Sequence, residues 1–162
     1  MGKKLRRCLS ARRMVTGAIM ADKHTEGVGA LIYAKNTNRY LFLLRSKSRQ
    51  QGCWGIAGGK IDVGETVIQG LVREIQEEVG QDFTNKKFIP LETFTSDNEK
   101  FVYYTFLVTV NEEFVPILND EHRGYCWVEL QDTPKPLHPG LWRSFNFDIV
   151  KKKIKTLESI LN

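Results

Sequence analysis

GGKIDVGETVIQGLVREIQEEVG, residues 58–80, is the stretch from which the rest of the chain can be read. Two glycines and a short loop lead into one helix with two incompatible faces. Val67, Ile68, Leu71, Val72, Ile75 and Val79 recur at the i, i+3/i+4 spacing, so they form an apolar stripe that must face a core. The opposite side carries Arg73, Glu74, Glu77 and Glu78. Carboxylates at those spacings crowd together and repel by a few tenths of a kcal/mol per pair. A helix that needed only solvation would interleave lysines there. Taken alone, the cluster reads plainly as an acidic solvated face. The chemical alternative is a hard divalent cation, Mg²⁺ or Mn²⁺, held between the carboxylates and a phosphate.

The wider spacing decides between them. Gly59, five residues, Glu65, seven residues and then REIQEEVG (73–80) reproduce G-x5-E-x7-R-E-U-x-E-E-x-G-U, where U is apolar. That pattern is the Nudix box, and the chain resembles a Nudix hydrolase. Gln81 departs from the pattern at the final apolar position, past the helix end, where it bears on packing rather than chemistry.

Upstream of the box, GVGALIYAK (27–35) and YLFLL (40–44) are β-formers flanking the turn Asn36-Thr37-Asn38, which predicts a hairpin. Arg45 ends the second strand, as a bidentate clamp on substrate oxygens or as an ordinary solvated strand end. A polar loop, SKSRQQG (46–52), leads to Trp54, read as a core anchor beside the site. Downstream, 88–94 and FVYYTFLVTV (101–110) read as strands around a turn at Ser96-Asp97-Asn98. The second is apolar and aromatic on both faces, as in a buried strand. Tyr103, Tyr104 and Phe106 lie on it, as core residues or as a platform for a base. A loop (116–124) precedes a short strand at 125–130. TPKPLHPG (133–140) reads as non-helical, and a helix follows from about Leu141. Its stripe of Val150, Ile154, Leu157 and Leu161 faces the sheet, and Lys151, Lys152, Lys153 and Lys155 form a solvated face. Two helices and five or six strands in mixed order predict an α/β protein. The resemblance agrees, implying the Nudix-fold α/β/α sandwich with a mixed β-sheet.

The 162 residues suit one domain, and 41% hydrophobic content supports a core without any run long enough to span a membrane. Six of the 24 Lys and Arg residues fall within residues 1–13, which carry no acid, so the remainder is almost neutral despite the formal +5. This divides the chain into a basic, disordered extension over 1–25 and a Nudix domain over 26–162. The extension fits an arm touching RNA, an Arg-rich targeting peptide, or an upstream addition, with Met14 and Met20 as alternative starts. Cys8, Cys53 and Cys126 form no C-x-x-C and leave one unpaired, which points to a reduced, cytoplasmic setting.

The resemblance implies that Glu74, Glu77 and Glu78 hold Mg²⁺ (or Mn²⁺) and that Gly58 lends a carbonyl to it. By the same resemblance Arg73 pairs with a carboxylate, and Glu65 and Gly59 support the cluster. The general base varies across the family. Glu121, in NDEHRGYCW, is the loop candidate and a further metal ligand, with Glu112 and Glu113 as alternatives; His122 beside it reads as merely exposed. WGIAGGKIDVGET, EHRGYCWVEL and PLHPGLW are similar to small Nudix enzymes of T4-type phages. That similarity implies adenylated substrates: ADP-ribose, diadenosine polyphosphates or dinucleotides such as NADH and FAD. A (d)NTP pyrophosphohydrolase, an enzyme acting on RNA 5′ ends and a non-hydrolysing nucleotide sensor are the alternatives. Family members are often dimers, so a homodimer is compatible with the sequence, although no residue marks an interface.

Overall fold

The computed structural model describes residues 24–47 and 49–162. The proposed extension, with Cys8, Met14 and Met20, therefore lies almost wholly outside the described residues. Strand β1 (Thr25–Ala34) is the axis of a seven-stranded mixed sheet. On one side it runs parallel to β6 (Phe101–Val110), with Thr25 opposite Phe101 and Ala34 opposite Val110. On its other side β1 pairs antiparallel with two strands in succession, β4 (Ala57–Lys60) along its first half and β2 (Arg39–Arg45) at its end. Strand β3 (Trp54–Gly55) and β7 (His122–Val128) extend the sheet beyond β2, and β5 (Phe88–Thr95) closes the other edge against β6.

Both faces of β1 are covered. Val28, Ala30, Ile32 and Ala34 pack under helix α1 (Val67–Val79) with Leu71, Ile75 and Val79. Leu31 and Tyr33 point the other way, into a second core with Tyr40, Phe42, Leu107, Val150 and Ile154. Helix α3 (Asp148–Leu161) covers that face, and helix α2 (Pro139–Asn146) precedes it. The result is the expected sandwich, with three helices rather than two.

Helix α1 starts where Thr66 and Gln69 cap each other: the Gln69 N–H donates to Thr66 Oγ1 (3.2 Å) and the Thr66 N–H to Gln69 Oε1 (2.8 Å). It ends at Gly80, whose φ of 70° gives the left-handed turn. Ile68 corrects the predicted stripe. It is 39% exposed although it shares the side of Ile75, because it stands two turns nearer the N-terminus. There it lines a shallow surface depression with Gln69 and Val72.

Several boundaries also moved. Residues 139 and 140 are helical, contrary to the expectation for TPKPLHPG, because Pro139 takes the first helical position, where its missing N–H costs nothing. His138 caps that helix by accepting the Gly140 N–H at 3.2 Å. The chain then breaks at Phe147, dividing the predicted C-terminal helix into α2 and α3. Strand β7 begins at His122, three residues before the predicted start. Lys153, read as solvated, donates from Nζ to the Leu91 carbonyl at 3.1 Å. No helix among the described residues is long and apolar enough to cross a membrane.

Candidate active site

The site begins where β4 is pressed onto β1. Gly58 lies opposite Gly29 and Gly59 opposite Val28. A Cβ on Gly58 would stand 2.1 Å from the Val28 carbonyl oxygen, and the residue's φ of 149° disfavours any side chain. A Cβ on Gly59 would stand 2.6 Å from the carboxylate carbon of Glu74. Bare backbone is therefore what lets helix α1 bring its carboxylates against β4. The Gly58 N–H donates to Glu78 Oε2 at 2.7 Å, fixing that carboxyl group.

Arg73 ties the loop to the helix. Its Nε and Nη2 donate to the two oxygens of Glu65 at 2.8 and 3.0 Å, and Nη2 also reaches the Lys60 carbonyl at 2.9 Å. Nη1 donates to Glu74 Oε1 at 2.9 Å and lies 3.5 Å from Glu77 Oε2. Glu65 also accepts the Asp62 N–H, so hydrogen bonds from Arg73 first and Asp62 second hold its carboxyl near pKa 2. One guanidinium thus sets the positions of Glu65 and Glu74 together. Lysine cannot reproduce that fork. Arg73→Lys should lower turnover about 10- to 100-fold, as loss of an orienting partner typically does. Turnover measured beside the melting temperature tests this; an unchanged rate would remove Arg73 from the machinery.

The three helix carboxylates do not share one environment. Glu77 is exposed, Glu74 half-buried, and Glu78 buried at 2% exposure on the core-facing side. Burial pushes the Glu74 carboxyl up from its ordinary value, against the pull of Arg73. Burial raises Glu78 further, to about 8, with Glu74 and Glu121 adding like charge. His122 Nε2 lies 3.8 Å from Glu78 Oε1. Burial, then Arg45, hold that imidazole down near pKa 4, so between pH 4 and 8 the two groups meet as neutral partners. The ring is buried, which corrects the expectation of an exposed loop histidine.

Glu121 is exposed, and backbone holds it near the end of β2. Its carbonyl accepts the Ser46 N–H at 2.8 Å, tying the loop before β7 to the end of β2, and its charge is felt at both Glu74 and Glu78. Glu113 instead pairs with Arg39 at 3.6 Å, beyond the far ends of β1 and β6, and Glu112 is exposed in the adjoining turn. Arg45 is close enough to Glu78 and His122 to shift both.

Arg45, Gly58 and Gly59 also form one end of a cleft of about 500 Å³ between the sheet and α2. Its floor exists because β1 carries glycine there: a Cβ on Gly27 would strike the ring of Tyr103 at 2.7 Å, and one on Gly29 its hydroxyl oxygen at 2.4 Å. Phe94, Phe101 and Arg143 stand farther out. The cleft was not legible in the sequence beyond the ambiguous aromatics of β6. Its parts come from five segments, at β2, β3–β4, β5, β6 and α2, that only the tertiary fold brings together. Trp54 is half-buried and packs against the second core, as expected.

The NUDIX domain family matches residues 23–147. The chain belongs to that family. A dihydroneopterin triphosphate diphosphatase of Haemophilus influenzae is 32% identical over 125 residues, 68% of this chain and 77% of that protein. A nucleoside triphosphatase NudI of Escherichia fergusonii is 24% identical, over 78% of this chain and 92% of its own length. Among solved structures, a MutT NUDIX hydrolase from Burkholderia pseudomallei superposes with a TM-score of 0.64 at 29% identity, covering 75% of this chain and 95% of that one.

Enzymes of the NUDIX family generally work with a divalent metal, and the donor chemistry here suits one. Glu74 and Glu78 are desolvated carboxylates set against the adjacent bare-backbone residues Gly59 and Gly58, and the charge of Glu74 is felt at Glu78, an environment in which a hard cation is the natural counter-charge. Among the described residues no three such side chains yet converge as a ready ligand set. Arg73 holds Glu74, and Glu77 stands out in solvent.

Proposed function

We propose that this NUDIX hydrolase is a Mg²⁺-dependent pyrophosphohydrolase that splits the triphosphate of a nucleoside or nucleoside-like heterocycle into a monophosphate and pyrophosphate. The observation that carries the reading is the shared wall Gly58–Gly59, with acidic groups on one side and the cleft on the other. A phosphate chain laid across that wall puts its heterocycle in the cleft. The names of the two curated relatives, both enzymes of triphosphates, favour this substrate class. The adenylated dinucleotides expected from the sequence gain nothing from those two relatives, nor does the phage-type similarity.

Glu74, Glu77 and Glu78, with the Gly58 carbonyl and Glu121, would hold the Mg²⁺. When bound, the ion neutralises phosphate charge and acidifies a water. The chain's own residues do the rest. Gly58 N–H holds Glu78 by Oε2, and Arg73 holds Glu74 and braces the loop through Glu65. Arg45, at the cleft end, pairs with phosphate oxygens. The Glu121 carboxylate takes the proton of the attacking water.

A product assay tests this with dNTPs, 7,8-dihydroneopterin triphosphate, ADP-ribose, diadenosine triphosphate and a 5′-triphosphate RNA, each with Mg²⁺, Mn²⁺ or EDTA. Pyrophosphate from the small triphosphates, abolished by EDTA, is the expected result. Inert triphosphates beside cleaved ADP-ribose or diadenosine triphosphate would restore the adenylated reading. Cleavage of RNA alone would point to the N-terminal arm.

A further inference from the structure

Side chains along a strand alternate between faces, so Ile89, Leu91 and Thr93 of β5 should share one face and Glu92 and Phe94 the other. They do not. Ile89 stands opposite Leu107 of β6, yet Glu92 stands opposite Thr105 and Phe94 opposite Tyr103, with Leu91 as an extra residue between. This β-bulge turns Glu92 and Phe94 onto the face that Ile89 occupies. Leu91 remains buried in the second core, and Lys153 holds its carbonyl from α3. The bulge is thus pinned by packing and by a charged hydrogen bond.

The face so populated is the cleft. Phe94 and Arg143 form a flat wall there, the guanidinium 4.6 Å from the ring centroid. Glu92 is the one carboxylate among the described residues lining the cleft, and none of the described ion pairs uses it. Glu92 is half-buried in a cleft that it shares with Arg45, His138 and Arg143, and its carboxylate oxygens can accept from a ligand's donors there.

We infer that Glu92 is a specificity-determining residue that reads the 2-amino-4-oxopyrimidine edge of the heterocycle, the edge common to guanine and pterins. The inference deepens the triphosphate reading and rests on it. An ionised carboxylate only accepts hydrogen bonds. That edge offers two adjacent donors, a ring N–H and an amino group, matching both oxygens at once. Adenine offers a lone pair beside its amino group, and uracil one N–H between two carbonyls, so each leaves an oxygen facing an acceptor. A bidentate match of this kind discriminates by about 10- to 100-fold.

The test compares Glu92→Gln with the unmutated protein in two measurements. One is the ratio of kcat/KM for dGTP to that for dATP with Mg²⁺. The other is binding of dGMP and dAMP in EDTA, which needs no turnover. The unmutated protein should favour guanine about 10- to 100-fold in both. Glutamine presents one acceptor and one donor, complementary to adenine, so the variant's ratio should fall to unity or below. A purely structural role would lower both substrates alike and leave the ratio unmoved. An unmoved ratio, or equal binding of dGMP and dAMP by the unmutated protein, overturns the assignment. If no triphosphate is cleaved but dGMP still binds preferentially through Glu92, the triphosphate reading fails and the base assignment stands.

Discussion

Glu78→Gln should abolish measurable turnover and at the same time stabilise the metal-free protein in alkaline buffer. The change in activity follows from the proposed mechanism, in which Glu78 helps hold the Mg²⁺, a contribution of several kcal/mol or about 10³-fold in rate. The change in stability follows from burial. Glu78 has its pKa raised from an ordinary 4.5 to about 8 in the folded chain. A raised pKa means the folded state binds the proton more tightly. Its contribution to stability is therefore full below about 4.5 and lost as pH rises through 8. His122 acts in the opposite sense, since its pKa is lowered from 6.5 to about 4. Its contribution is full above 6.5 and lost as pH falls through 4. The two slopes cancel between about 4.5 and 6.5 and leave Glu78 alone from 6.5 to 8. Over that window the metal-free protein should lose about 2 kcal/mol. Glutamine cannot ionise, so the variant's melting temperature should be flat there while the unmutated protein's declines. Melting curves in EDTA at pH 6.5 and 8 decide it. Parallel declines in both proteins would mean that Glu78 is not the group responsible.

Gly58→Ala should be the most damaging single change to the fold among the glycines of residues 58–80. The added methyl would sit 2.1 Å from the Val28 carbonyl oxygen and 2.6 Å from the Gly29 Cα, both backbone atoms that cannot rotate away. Strained φ and overpacking each cost roughly 1–3 kcal/mol, so a total near 4 kcal/mol is expected. In a chain of this size that lowers the melting temperature by roughly 10 °C. Relief requires β4 to move off β1, which also takes the Gly58 N–H from Glu78, so surviving protein should be inactive. Gly64→Ala provides the control. Its φ is also positive, 91°, but its Cβ would meet nothing within 4 Å, so only the smaller conformational cost applies. Equal melting temperatures for the two variants would show that the β1–β4 contact is looser than described.

The parts of the site legible in the sequence were those that one continuous segment encodes. Arg73 and Glu74 lie on the polar side that helix spacing gives them, but Glu78, read onto that same side, is buried with the core because it follows Leu71 and Ile75 on the inward stripe. Gly58 and Gly59 were legible as a turn, and their close approach to β1 was not. Glu121 was reachable only through the family resemblance, because nothing local joins an acid in a loop to a helix more than forty residues earlier. His122 was misread for the same reason: its burial depends on β2, β7 and α1 meeting. Ile68 failed differently, since periodicity reports the side of a helix and not how far along it the core extends. The bulge at Leu91 leaves no mark on a sequence read by alternation. FIPLETFT alternates as acceptably without an extra residue as with one, so the side on which Glu92 would fall was undetermined.

That bulge also bears on how this protein can change over generations. Before it, β5 is committed to the interior, with Ile89 and Leu91 packed beneath α3. Beyond it, positions 92 and 94 face the cleft and carry little of the interior's packing. Mutation of Glu92 can alter what the cleft presents without opening a hole in either hydrophobic core, to which it does not belong. Selection can therefore explore new ligands on this strand without first having to repair the fold.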